Sequence, residues 1–323
     1  MRKALISVFS AIASMSIVSS LSYGSCGEIT MTEMDWESSQ IVTSVTKFII
    51  EQGYGCKVNL VPSSTEAAIL SLVETDQPDI ATELWINSTP AYTKLEAEGK
   101  VKTAAKVLSD GGFEAWWIPK YLAKKYPELK TIEDVMKNPE LVGGKFHNCP
   151  AGWVCRTVND NLIKALKLSD KMEIFNHGSG ETLAASIASA YENERPWFGY
   201  FWAPTAILGK YPMIEISVGP YKDEIHRCNT RGEKCETPGV SAFPSSVVVT
   251  AVTKAFADKN PPLYKLLQNV SFTNAQMGEV LTWKEENNAT SNEAAVYFIR
   301  KYKSVWGTWL NKDARSKLSM LLK

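Results

Sequence analysis

The sequence predicts an α/β protein of two lobes with a ligand cleft between them. Three observations lead there. From Glu28 onward strand and helix signals alternate, a second alternating unit opens near Phe113, and the chain then returns through one more strand to finish in helices. Such alternation implies a largely parallel sheet with helices on both faces. A chain that leaves one such unit, builds another and comes back sets a cleft at the junction. The length of 323 residues suits one large or two modest domains, and 45% hydrophobic residues suffice for a sizeable core.

Taken in order, residues 28–32 read as a short strand. Residues 38–50 carry Ile41, Val45, Phe48 and Ile49 on one helical face that stops near Gly53. A strand over 57–61 precedes a helix capped by Ser64, and residues 79–84 form a strand ending at Trp85. Asn87-Ser88-Thr89-Pro90 then gives a cap followed by proline at the first helical position. The second unit begins near Phe113-Glu114-Ala115-Trp116-Trp117-Ile118 and contains the helix start Thr131-Ile132-Glu133-Asp134. A strand at 145–148, a helix at 156–166, a strand at 172–176, a helix at 181–191 and a strand at 197–201 come next. That last strand runs into Trp202-Ala203-Pro204-Thr205, echoing the passage around Trp85. Residues 221–239 are polar and aperiodic and read as a disulfide-closed hairpin or loop. Residues 246–252 are a β-branched strand, and helices are expected at 262–270, 273–284 and 292–309.

The first residues pair a basic start, Arg2 and Lys3, with an apolar run to Val18 and small residues to Ser25, the form of a secretory leader over 1–24. Fifteen or so apolar residues fall short of the ~20 that a spanning helix needs. An exported, periplasmic chain keeps its cysteines in an oxidising compartment, and six of them fall into near pairs: Cys26 with Cys56, Cys149 with Cys155, Cys228 with Cys235. Close spacing favours neighbour pairing among the fifteen connectivities. Lipid attachment at Cys26 is a competing use of one of them. Zinc is disfavoured, because no Cys-x-x-Cys occurs and His147, His177 and His226 do not cluster with carboxylates at ligand spacing. Asn229, Glu233 and Glu236 offer oxygens near the last cysteine pair, in no calcium-binding spacing.

Charge narrows the function. With 35 basic and 35 acidic side chains the chain lacks the basic field that phosphate neutralisation requires, so nucleic acid is excluded as a partner. Removing 1–24 takes Arg2 and Lys3 and no acid, so 33 basic against 35 acidic leaves −2. Nucleophile elbows, metalloprotease motifs, phosphate loops and dinucleotide fingerprints are all missing from the sequence. Ser179, between Gly178 and Gly180, reads as a turn and helix cap. No catalytic residue, metal or cofactor is therefore assigned, and the chain is not read as an enzyme.

The ten tryptophans carry the better signal. Trp85 and Trp202 each end a strand just before a helix, the edge where open α/β sheets bind ligands. Trp153 lies within Cys149-Pro150-Ala151-Gly152-Trp153-Val154-Cys155, a loop that a disulfide would hold rigid at a helix start. Trp36, Trp283, Trp306 and Trp309 sit on helices or helix edges and are assigned to packing. Three fixed aromatic faces suit a quaternary ammonium, which has no N–H to donate and is recognised by cation–π attraction. At about 2 kcal/mol per desolvated face they supply roughly 6 kcal/mol, against about 8 kcal/mol for micromolar binding. The backbone N–H groups of Val154 and Cys155, at the helix start, favour an anionic group that would complete the contact.

These residues resemble the substrate-binding proteins of ABC transporters for glycine betaine, proline betaine and choline, a group that includes trimethylamine N-oxide binders. The resemblance spans essentially the whole mature chain. Its most specific element is the loop Cys149–Cys155, with Pro150, Gly152 and Trp153, and looser matches follow at Trp85 to Pro90 and at Trp202-Ala203-Pro204. The resemblance implies that Trp85, Trp153 and Trp202 box a trimethylammonium group while the amides of Val154 and Cys155 hold a carboxylate. One position departs: the best-known members carry histidine four residues after the first tryptophan, where this chain has Thr89. The departure points away from glycine betaine, towards choline or trimethylamine N-oxide. Trp116 or Trp117 stands where a fourth wall would be, and Glu33 or Glu114 where charge beside it would be.

The family's fold is the two-lobed periplasmic binding protein, type II-like, with two crossover segments. On this chain it implies lobe I at 25–113 and 243–323 and lobe II at 114–242. A small methylated-amine ligand and a membrane permease are the implied partners of a monomeric binding protein. A secreted hydrolase acting on a small cationic ester in the same cleft is the alternative, and a structural envelope protein a third.

Overall fold

The computed structural model describes residues 26–322; the expected leader lies outside them. The chain opens with β1 (Glu28–Met34), α1 (Glu37–Ile49), β2 (Lys57–Ser63), α2 (Thr65–Thr75), β3 (Ile80–Trp85), α3 (Pro90–Ala97) and β4 (Val101–Lys106). Ile41, Val42, Val45 and Ile49 of α1 recur at helical spacing and are all buried. The Ser64 hydroxyl accepts from the Ala67 N–H and starts α2.

Next come β5 (Phe113–Pro119), α4 (Lys120–Lys125), α5 (Ile132–Lys137), β6 (Lys145–Asn148), α6 (Val154–Leu166), β7 (Glu173–Asn176), α7 (Gly180–Glu192), β8 (Gly199–Ala203), α8 (Ala206–Lys210), β9 (Met213–Ile216) and α9 (Asp223–Asn229). Reciprocal capping boxes begin α5, between Thr131 and Asp134, and α7, between Ser179 and Thr182. The chain closes with β10 (Val248–Thr253), α10 (Lys254–Lys259), α11 (Pro261–Leu267), α12 (Asn274–Glu286), α13 (Ser291–Lys301), α14 (Lys303–Trp309) and α15 (Lys312–Leu321).

These strands form two sheets, one per lobe, in the orders β2-β1-β3-β10-β4 and β7-β6-β8-β5-β9. Each is largely parallel, as expected, with one strand reversed. β1, β2 and β3 run parallel, whereas β10 is antiparallel to both β3 and β4. In the second sheet β5 is antiparallel to β8 and β9. The antiparallel members are the strands flanking the crossovers, where the chain enters one sheet from the other. The two connecting segments touch: Gly112 and Ser246 exchange both backbone hydrogen bonds, at 2.8 and 2.9 Å.

Several segments differ from the sequence reading. Residues 221–239 form α9 and a short 3-10 turn at Gly232–Lys234, not a hairpin. The Asn229 side chain clamps this loop by bonding both the carbonyl and the N–H of Gly239. The helix expected over 292–309 breaks at Tyr302, where the Trp306 indole N–H takes the freed Ile299 carbonyl. Strands β4 and β9 and helix α15 carry no periodicity strong enough to announce them. Disulfides join Cys26–Cys56, Cys149–Cys155 and Cys228–Cys235, so the Cys26 sulfur is engaged and has no place for a lipid.

Candidate functional site

Three strand ends and one loop converge between the lobes. Trp36 follows β1, Trp85 ends β3, Trp202 lies near the end of β8, and Trp153 caps α6 from the Cys149–Cys155 loop. With Thr65, Glu114, Val154, Cys155 and Tyr200 they line a cavity whose empty space, mouth included, is about 330 Å³. Each of the four tryptophans is at most 7% exposed. The walls meet at steep angles: Trp153 stands 84° to Trp202 with centroids 4.9 Å apart, and 70° to Trp36 at 5.4 Å. Tyr200 lies two residues before Trp202 on the same strand face and stacks near-parallel to it at 6.4 Å. Close packing of these rings requires glycine at two places. A Cβ on Gly112 would lie 2.2 Å from the Trp85 ring, and one on Gly180 2.7 Å from Trp153.

The indole nitrogens of Trp36, Trp85 and Trp153 are hydrogen-bonded to carboxylates. Trp153 donates to Asp35 across the cleft at 2.7 Å, and Trp36 donates to Glu83 at 2.6 Å, with Trp85 at 3.4 Å from the same oxygen. This leaves the ring faces for the cavity. Glu114 sits opposite Trp202 in the β5–β8 ladder and accepts from the hydroxyls of Tyr200 and Ser246. Burial pushes the carboxyls of Glu114 and Asp35 up, and that of Glu83 up to about 7. At the far end of the cavity, α6 begins without a side-chain cap, so the first N–H groups, those of Val154 and Cys155, lack intrahelical partners.

An adjoining cavity shares Trp36 and Trp202, and its charged lining residues, Asp35, Glu37, Glu181 and Glu285, are all acidic. Lys284 and Lys210 pair with Glu37 and Glu285 at 2.6 and 2.8 Å, which moderates the field. A more open groove on lobe II holds the neutral pair His147 and His177 beside Lys145 and Arg195. Burial depresses the two histidines to about 3 and about 4, and the remaining cations would repel an ammonium. The lobes also touch through Thr157 with Glu66 and Ser88 with His226. The cleft is closed.

The structure thus brings together Trp85, Trp153, Trp202, Val154, Cys155 and Glu114. Trp116 and Trp117 do not line the cavity. Trp116 is a lobe II core residue bonded to Asn159 and packed on Phe146 at 4.4 Å. Trp117 turns to the other face of β5, donating to the Phe201 carbonyl and packing on Phe113. Glu33 is half-buried on β1 opposite Pro62, away from the rings. Trp36, read as packing, is the additional tryptophan wall. Its place just after a strand matches that of Trp85 and would have revealed it. Thr89 is spent on the Trp85 carbonyl at 2.9 Å. Among the described residues, no group of three or more His, Cys, Asp or Glu gathers as a metal site, and no helix is long and apolar enough to cross a membrane.

Residues 27–301 match the family model of the substrate binding domain of ABC-type glycine betaine transport systems. A glycine betaine/proline betaine-binding periplasmic protein of Escherichia coli (strain K12) is 22% identical over 256 residues, covering 72% of this chain and 74% of that one. Among solved structures, an ABC-transporter choline binding protein in complex with choline aligns with a TM-score of 0.74 at 18% identity, over 92% of this chain and 99% of that one. A lactococcal protein in its closed conformation with glycine betaine gives 0.67 at 18% identity, over 88% and 100%. The chain belongs to the family of substrate-binding domains of ABC-type glycine betaine transport systems.

Proposed function

We propose that this chain is the periplasmic binding component of an importer, holding a compact methylated amine in a cage made by Trp36, Trp85, Trp153 and Trp202. One observation carries the reading: four nearly buried indoles, with Tyr200, enclose a small cavity whose lining contains Glu114 and no basic side chain. Indole faces attract an ammonium through their quadrupoles, by about 2 kcal/mol or more when desolvated. The free N–H groups of Val154 and Cys155 receive the ligand's oxygen. A ligand carboxylate would lack a cationic partner and face Glu114, so trimethylamine N-oxide and choline fit better than glycine betaine.

In this reading the lobes, 25–113 with 243–323 and 114–242, part at the Gly112–Ser246 pair, and closure assembles the cage from both. The leader and the three disulfides suit export to the periplasm as a monomer, and the closed form is what a membrane permease would receive. Calorimetry against trimethylamine N-oxide, choline, glycine betaine, proline betaine, an amino acid and a sugar tests the proposal. The first two should bind at micromolar Kd or tighter without chemical change. Preference for the amino acid or sugar would refute it, and turnover of a choline ester would favour a hydrolase.

A further inference from the structure

We infer that Glu83, outside the cavity lining, is a positioning residue that fixes Trp36 and Trp85 and supplies the negative charge behind the cage to which a cationic headgroup responds. The inference rests on the cage reading above. Glu83 is fully buried, and one of its carboxyl oxygens takes the Trp36 N–H at 2.6 Å, the Ser38 hydroxyl at 2.7 Å and the Trp85 N–H at 3.4 Å. All three donors are neutral. The other oxygen, Oε2, is buried with no hydrogen-bond partner.

Its backbone is as unusual as its surroundings. Glu83 has φ of 52°, a left-handed conformation that favours glycine. The cause is a bulge, since two residues of β3, Thr82 and Glu83, stand against one of β10, Thr250. An acid at this position sustains both backbone strain and desolvation, and the bulge aims its carboxyl at two tryptophan edges. Strain and uncompensated burial of this kind are retained where a site uses them.

The electrostatics give that use a direction. An N–H donated to a carboxylate enriches the indole that carries it, and the carboxylate itself attracts an ammonium on the ring's other side through a poorly screened interior. Burial holds the Glu83 carboxyl up at about 7. A bound cation favours its ionised form, so protonation and ligand oppose one another. The other titratable groups around the cage are Asp35, behind Trp153, with Glu181 beside it, and Glu114, opposite Trp202, with the Tyr200 hydroxyl bonded to it; Glu37 at the start of α1 is paired with Lys284.

The test uses the full mature chain, with choline and trimethylamine N-oxide titrated calorimetrically at pH 8 and pH 6. Wild type, Glu83→Gln, Glu83→Asp and Trp85→Ala are compared. In the wild type, Kd for the ligand it binds should rise about five- to tenfold from pH 8 to pH 6. Glu83→Gln should weaken binding about tenfold at pH 8, lose most of that pH dependence, and melt no lower than wild type, because a buried charge has gone. Glu83→Asp, keeping the charge on a shorter stem, should retain the pH dependence. Unchanged binding in Glu83→Gln beside lost binding in Trp85→Ala would overturn the role of Glu83 and leave the cage. So would weakened binding that merely follows a lowered melting temperature. Normal binding in Trp85→Ala, or no binding of either ligand by wild type, would overturn the cage reading and this inference with it.

Discussion

Trp36, Trp85, Trp153 and Trp202 all line the cavity, and the first three have their indole N–H held by a carboxylate. Truncating an indole removes a face without unpairing a charge in the ligand, so each Trp→Ala change should weaken binding by at least about 1.5 kcal/mol, over tenfold in Kd. Calorimetry of the four single variants checks this, and Trp116→Ala provides the contrast, losing thermal stability through the lobe II core. Gly112→Ala should weaken binding as well, because its methyl would occupy the space of the Trp85 ring; titration of a variant that melts normally decides it. That Trp85, Trp153 and Trp202 meet at one cavity was legible because each stands at a strand end or in a disulfide loop before a helix. Trp36 obeys the same rule yet was grouped with α1, whose N-cap it forms. Glu83 was illegible, because nothing in Thr82-Glu83-Leu84-Trp85 announces a bulge that depends on pairing with β10.

At the scale of elements, the Cys149–Cys155 disulfide closes the loop that carries Trp153 and delivers the bare N-terminus of α6 to the cavity. Replacing both cysteines by serine should cost about 2–3 kcal/mol of stability by the loop-closure argument and weaken ligand binding further by freeing Trp153. Denaturant melts and calorimetry on the double variant separate the two effects. Elements with strong local signals were readable: the amphipathic α1, the capped α2, α5 and α7, and the β-branched β10. Strand direction was not, because composition does not record which neighbour a strand joins, and β10 joins its sheet antiparallel. Helix α9 escaped for another reason. It is short and polar, and beside the local Cys228–Cys235 bridge it is held by Asn161 bonding the Asn229 and Gly232 carbonyls, contacts distant in sequence.

The whole molecule joins these parts through a closed cleft, and its titrating groups give closure a pH signature. Glu83 has a folded pKa of about 7, raised from the usual ~4.3. The stability it contributes is complete below about 4.3 and is lost as pH rises through about 7. His147, His177 and His226 are depressed by burial to about 3, 4 and 4. Their contribution has the opposite sign, present above ~6.5 and lost as pH falls towards 4. Unliganded protein should therefore lose melting temperature as pH is lowered below about 5, and Glu83→Gln should raise it more at pH 8 than at pH 5; calorimetric scans across that range check both. The ion pair Lys210–Glu285 lies at the surface beside the cleft, where such pairs contribute at most about 1 kcal/mol, and Lys284–Glu37 is part-buried. The part-buried Asp35–Trp153 bond also joins the lobes across the cleft. The most direct test of the cage is a crystal structure of the protein grown with trimethylamine N-oxide or choline. The account predicts the methylated nitrogen within about 6 Å of the ring centroids of Trp36, Trp85, Trp153 and Trp202, its oxygen turned to the start of α6. A ligand seated outside these rings, or in the groove beside His147 and His177, would contradict it.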